Sequence, residues 1–255
     1  MYNLSCKDIK LKYNNISWES RDGKVELCKN NVMAFGLNEK LFTQCNYRPF
    51  DNRWTYYTGK SKGFIGWPVY HIMQHFLKGD NIGLVSVRRI KTGSNIGFFI
   101  ANRIVDDAYS GMSSSVVCPL YLYPETNGQQ TIGQSTERTP NLNATIVKQI
   151  ADKLGLTFTT EKVPSPLERA EGEAETFAPI DILDYIYAVL HSPTYREKYK
   201  EFLKIDFPRV PYPKNPRQFI DLVELGSQLR QIHLLESPVV EDYITQYPED
   251  GTNIV

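Results

Sequence analysis

The 255-residue chain has no run of about 18 apolar residues, so no segment reads as a membrane-spanning helix. Its opening residues, Met1-Tyr2-Asn3-Leu4-Ser5-Cys6-Lys7, lack the pattern of a secretion signal. Cysteine is scarce: Cys6, Cys28, Cys45 and Cys118 are scattered, with no CxxC spacing. That argues against a disulfide framework or a zinc site and makes free thiols in a cytoplasmic protein the expectation. Also missing are GxGxxG and GxxxxGK[ST], the loops that cradle nucleotide phosphates, as well as HExxH and the GxSxG nucleophile elbow. Histidine is limited to His71, His75, His191 and His233. The His71/His75 pair has metal-ligand spacing but no third ligand nearby in sequence, so both read as packed or surface residues. The Asp106-Asp107 pair could do acid–base work, but adjacent carboxylates are common by chance. The sequence therefore supports no catalytic centre.

Net charge is absent too, with 29 basic residues balanced by 29 acidic ones. A strongly basic balance is the usual footprint of nucleic-acid binding, so the total speaks against such a partner. Position reverses that reading. Residues 1–123 hold 16 basic and 9 acidic side chains, and residues 124–255 hold 13 basic and 20 acidic. Between residues 47 and 103, nine basic residues face only Asp51 and Asp80. Asymmetry of this kind is a mark of proteins that meet nucleic acid or a membrane. Ordinary fluctuation of charge along a chain accounts for it equally well, and the basic block also reads as a solvated face paired with the acidic second half.

What is present divides the chain into an α+β arrangement: a β-rich N-terminal half (1–125), a polar linker (126–142) and a helical C-terminal half (143–255). Short alternating runs at Ile9–Tyr13, Val25–Leu27 and Val32–Phe35 read as strands. Trp67–Leu77 reads as a short amphipathic helix with Pro68 in its first turn and Gly79 after its end. Strands are expected over 82–90, 96–105 and 116–123. In the second half the 3.6-residue period predicts helices over 143–154, 179–191, 193–203 and 219–235. In the last of these, Leu222, Leu225, Leu229, Ile232 and His233 have core-like spacing. Acidic 161–175 reads as a flexible loop, and Phe207–Pro213, with three prolines, as extended chain.

The basic stretch carries chemistry suited to DNA. Arg48, Arg53, Lys60, Lys62, Arg88, Arg89, Lys91 and Arg103 are interleaved with Tyr57, Ser94 and other hydroxyl residues. Lys and Arg neutralise phosphates, Ser, Thr and Tyr bond them, and an Arg fork can read a guanine edge. Trp54 and Phe50, in the same stretch, read as core residues. Arg88 and Arg89 are adjacent, so on a strand they would point to opposite faces.

Several segments together resemble the C-terminal specificity region of Type ISP restriction–modification enzymes, single chains that join a nuclease, a helicase-like motor, an adenine-N6 DNA methyltransferase and a target-recognition domain. The resemblance lies in 47–57 (YRPFDNRWTYY), 81–84 (NIGL) with Arg88, 119–123 (PLYLY) and 140–143 (PNLN). It continues through 177–193 (FAPIDILDYIYAVLHSP), 207–213 (FPRVPYP) and 225–235. The helix, Ser-Pro, helix, Pro-Arg-x-Pro layout is also similar to recognition regions of other adenine methyltransferases fused to nucleases.

The resemblance implies a target-recognition domain for double-stranded DNA, docked on the methyltransferase domain of the same parent chain, in bacterial defence and without a membrane. The Asn/Asp-Pro-Pro-Tyr/Phe methylation motif and the cofactor glycine motif of the family do not occur here. It follows that the chain has no cofactor of its own, and that S-adenosylmethionine, ATP and Mg would be used by parts absent from it. An excised domain or gene fragment is expected. The resemblance makes the N-terminal half the reader. Arg48, Arg53, Lys60, Lys62, Lys91 and Arg103 are then expected on phosphates, and Arg88, Arg89, Ser94 and Ser113, Ser114 and Ser115 near bases. Two alternatives stand beside this: a protein-interaction module with a basic face, and a hydrolase whose site is unrecognised.

Overall fold

The computed structural model describes residues 4–14, 24–87, 97–110, 115–124, 137–160 and 176–245. The chain opens with two helices, α1 (Cys6–Lys12) and α2 (Val25–Phe35), where alternation predicted strands. Local chemistry explains the difference. The Ser5 hydroxyl accepts the Asp8 N–H while the Asp8 carboxylate accepts the Ser5 N–H, a capping box that fixes the start of α1. In α2 the buried residues are Val25, Cys28 and Val32, a helical spacing that three-residue windows conceal.

A hairpin follows: β1 (Phe42–Arg48) and β2 (Asp51–Tyr56), antiparallel, with a register shift between Asn46 and Arg48. Phe50, in the turn, has φ 65°. Helix α3 (Tyr70–Leu77) starts later than the sequence suggests, because Val69 adopts a left-handed φ of 44° and leaves Pro68 outside the helix. Next come β3 (Gly83–Val87), β4 (Phe98–Ala101), β5 (Ile104–Val105) and β6 (Ser115–Pro119). The strand expected over 96–105 is thus broken at Asn102-Arg103. β4 pairs with β3, and β5 crosses to lie parallel to β1. The result is two three-stranded sheets, ordered β2-β1-β5 and β4-β3-β6. The expected strand segments 88–90 and 96 lie outside the described residues.

β7 (Tyr121–Leu122) pairs with β8 (Thr139–Pro140), so the end of the expected linker is tied to the first half. The rest of that linker, 126–136, and the expected loop 161–175 lie outside the described residues. Helix α4 (Ala144–Leu154), the parallel pair β9 (Thr157–Phe158) and β10 (Thr176–Phe177), and helices α5 (Pro179–His191), α6 (Pro193–Leu203) and α7 (Pro216–His233) complete the chain. Strands thus lie mostly in the first half and helices in the second, an α+β fold as the sequence indicated.

The halves share their core. Phe98 of β4 packs in one cluster with Leu190, Phe219 and Val223, and Ile100 packs with Leu183 and Tyr187. α5 is buried nearly all round because it lies between α7 and β4. Its Asp184 is buried and bonded to Arg230 of α7, Nε to Oδ1 at 2.7 Å and Nη2 to Oδ2 at 3.0 Å. The fully buried face of α7 is Phe219, Val223, Gly226 and Ser227; of the residues expected in the core, Leu222 and Leu229 pack against its clusters and His233 bonds Tyr187, whereas Leu225 is 57% exposed. Gly226 is where the two helices touch, which no apolar-spacing rule marks.

Candidate nucleic-acid interface

The end of the β1–β2 hairpin nearest its turn gathers three of the expected arginines. Arg48, the last residue of β1, donates from Nη1 to Asp106 Oδ1 at 2.7 Å. Arg53 sits on β2 two residues after Asp51, on the same strand face, and donates to its carboxylate from Nε at 3.0 Å and Nη2 at 2.8 Å. Both guanidiniums lie over the Tyr47 ring, Arg48 at 4.1 Å and Arg53 at 4.0 Å from its centroid. Arg53's hydrogen bonds hold the Asp51 carboxyl below the usual carboxylate range. Arg103 joins them through Asn46, whose Oδ1 accepts the Arg103 backbone N–H at 3.2 Å and whose Nδ2 donates to Asn52 at 2.6 Å.

This end of the hairpin is continuous with one end of the second sheet. Asp107, next to Asp106, accepts the Ser115 N–H through its carbonyl at 2.9 Å, and Ser115 is the register partner of Val87. Val87 in turn donates its N–H to Gly97 O. Val87, Gly97 and Ser115 are the roots of residues 88–96 and 111–114. Arg88, Arg89, Lys91, Ser94, Ser113 and Ser114 belong to those segments and lie outside the described residues. Ser115 begins β6, and its Oγ is buried with no hydrogen-bond partner among the described residues.

The remaining expected contacts separate. Lys60 and Lys62 lie beyond the other end of the hairpin, about 20 Å away for a seven-residue strand at about 3.3 Å per residue. Lys60 rims a cleft of about 540 Å³ with Lys40, Thr43, Thr58 and the rings of Phe42 and Tyr70. Neither Lys60 nor Lys62 makes an ion pair among the described residues.

Tyr57 is a correction: it is 4% exposed, its hydroxyl donates to the Pro68 carbonyl, and burial raises its pKa. It is a packing residue. Trp54 and Phe50, expected in the core, are 70% and 61% exposed. Trp54 projects from β2, one of the sheet's two edge strands, and the Phe50 ring stands edge-on to His233 at 6.2 Å, bracing the turn against α7. Sequence reasoning singled out neither Tyr47 nor Asp51 as functional, and Asp106 stood out only as a chance carboxylate pair with Asp107. The i, i+2 spacing of Asp51 and Arg53 on a strand was the available signal; the Arg48–Asp106 pair spans 58 positions and had none. His75 is a satisfied buried histidine whose Nδ1 accepts the Tyr123 N–H at 2.9 Å, and among the described residues no His, Cys, Asp and Glu cluster could hold a metal.

Residues 3–255 match the family model of the Type ISP C-terminal specificity domain. The chain belongs to this family. Among solved structures it is similar to a chain of a DrdV–DNA complex, with a TM-score of 0.56 and 20% identity over 91% of this chain and 19% of that one. It is also similar to LlaBIII, an ATP-dependent Type ISP restriction–modification enzyme bound to DNA, with a TM-score of 0.55 and 18% identity over 86% of this chain and 12% of that one. At such identities the likeness is one of fold, and this chain spans less than a fifth of either relative. No curated protein matches it. Among the described residues, no helix is long and apolar enough to cross a membrane.

Proposed function

We propose that this Type ISP specificity domain recognises a short sequence in double-stranded DNA, within a larger cytoplasmic restriction–modification enzyme whose adenine-N6 methyltransferase domain it abuts. The observation that carries the reading is convergence. Arg48, Arg53 and Arg103 gather at the hairpin end that Asp106 and Asp107 tie to Val87 and Ser115, the β3 and β6 ends beside segments 88–96 and 111–114. Connecting segments on a rigid β scaffold are a common way to bring side chains to base edges. Both structural relatives were solved in complex with DNA, which supports the same reading.

In this account Arg103, Lys60, Lys62 and Lys91 neutralise phosphates, while Arg88, Arg89, Ser94, Ser113 and Ser114 work near bases; Ser115, expected beside them, has its Oγ buried and anchors β6. The helical half holds the sheets and docks on the methyltransferase. Methylation and cleavage, with S-adenosylmethionine, ATP and Mg, belong to other parts of the parent chain. The test is selection by the full chain from a pool of duplexes with a randomised core. Recovery of one short motif is expected. Lys60→Ala with Lys62→Ala should weaken binding to every duplex alike and flatten the salt slope by about two. Failure to retain any duplex would favour a protein-interaction module.

A further inference from the structure

Arg48 and Arg53 are spoken for before any ligand arrives. Arg53 spends Nε and Nη2 on Asp51, and Arg48 spends Nη1 on Asp106, while both guanidiniums lie on Tyr47. A cation paired with a carboxylate contributes little to neutralising phosphate, because the pair brings no net charge and releases few counterions. It still has hydrogen-bond donors to offer, since a guanidinium carries five N–H groups in a planar fork. An acceptor on a base edge can use those donors without displacing the carboxylate, whereas a phosphate would have to compete with it.

We propose that Asp51 and Asp106 are specificity-determining positioning residues: they hold Arg53 and Arg48 on Tyr47 so that the two arginines read base edges and do not grip the backbone. This rests on the DNA-recognition reading and reverses the phosphate role expected for these two arginines from sequence. It also accounts for acidic residues at this end of a basic region. They suppress non-specific affinity, and the discrimination between target and random DNA rises.

The proposal gives two opposite-signed expectations for the full chain, measured with a labelled random duplex over a salt series. Asp51→Asn with Asp106→Asn should bind random duplex several-fold more tightly than wild type and steepen the log–log salt slope by about 0.9 for each freed arginine. Removing both pairs whole, with Arg48→Ala, Arg53→Ala, Asp51→Asn and Asp106→Asn together, should leave that slope unchanged while narrowing the affinity ratio between the duplex selected by wild type and the random one. Asparagine variants that bind random duplex no tighter than wild type overturn the proposal. So does a slope flattened by about two in the variant that lacks both pairs, which keeps the question decidable if the freed arginines of the asparagine variant disturb the fold. A wild-type chain that binds no duplex at any salt sinks the DNA reading itself, and this proposal with it.

Discussion

Gly226→Ala probes the scaffold beneath the interface, and two physical effects oppose each other there. Helix propensity alone predicts that alanine in the middle of α7 stabilises by about 1 kcal/mol. The packing predicts the reverse. A Cβ at Gly226 would stand 1.9 Å from the Asp184 carbonyl oxygen, 2.6 Å from its carbon and 3.0 Å from its Cα. All three are backbone atoms, so no rotamer can relieve the clash. Restoring ordinary contact at about 3.5 Å requires α5 and α7 to part by on the order of 1.5 Å. Overpacking of this kind costs about 1–3 kcal/mol. Parting the helices also strains the buried Asp184–Arg230 pair, whose outright loss costs about 3–5 kcal/mol. Net destabilisation of about 2–4 kcal/mol follows, and with a urea dependence of about 1–3 kcal/mol per molar the unfolding midpoint should fall by about 0.7 M or more. Far-ultraviolet circular dichroism over a urea series measures it. A midpoint equal to or above wild type would mean that the α5–α7 contact is not as close as described, and the reasoning fails.

Asn81→Ala should destabilise by about 3 kcal/mol in the same assay. Its buried amide donates to the His75 and Tyr121 carbonyls and its Oδ1 accepts the Ile82 and Tyr121 N–H groups, so truncation strands several buried polar groups at about 1–3 kcal/mol each; a loss under about 1 kcal/mol would contradict this. The pH dependence follows from His191, whose pKa burial pushes down to about 4, and from His233, also lowered by burial. Below the ordinary histidine value of about 6.5 the unfolded chain takes up protons that the folded chain refuses, so stability should fall as pH drops from about 6.5 toward about 4. His191→Gln should flatten that part of a plot of thermal midpoint against pH, and an unchanged plot would refute the assignment.

Much of the second half was legible in the sequence because its helices carry their own signals. Pro179 and Pro193 mark helix starts, and Val147, Ile150 and Leu154 keep the helical period. The first half was harder. α1 and α2 were mistaken for strands because short windows register alternation before they register a capping box or the Val25, Cys28, Val32 spacing. β5 leaves the strand before it because Asn102-Arg103 bends the chain, a tertiary event without a proline or glycine to announce it. At the interface, the basic character of 47–103 could be read directly, but its division into two groups could not. Arg53's partner lies two positions away, but Arg48's neutralisation depended on Asp106 arriving from 58 positions away. Tyr57 and Trp54 exchanged roles for a similar reason. Pairing of β1 with β5 puts β1 at the centre of the sheet and β2 at an edge, where Trp54 is exposed, while Tyr57, just past the strand, turns into the cluster with Met73 and Ile104.

The central claim is that this chain meets duplex DNA through the hairpin and the sheet end beside it. Anisotropy of a labelled random duplex, titrated with the chain between 50 and 200 mM salt, tests it most directly. With about four phosphates neutralised by Arg103, Lys60, Lys62 and Lys91, the account predicts a dissociation constant of about 10⁻⁴–10⁻⁶ M near physiological salt and a log–log slope of about −3 to −4. No binding tighter than about 0.1 mM at the lowest salt, or binding that ignores salt, would contradict it.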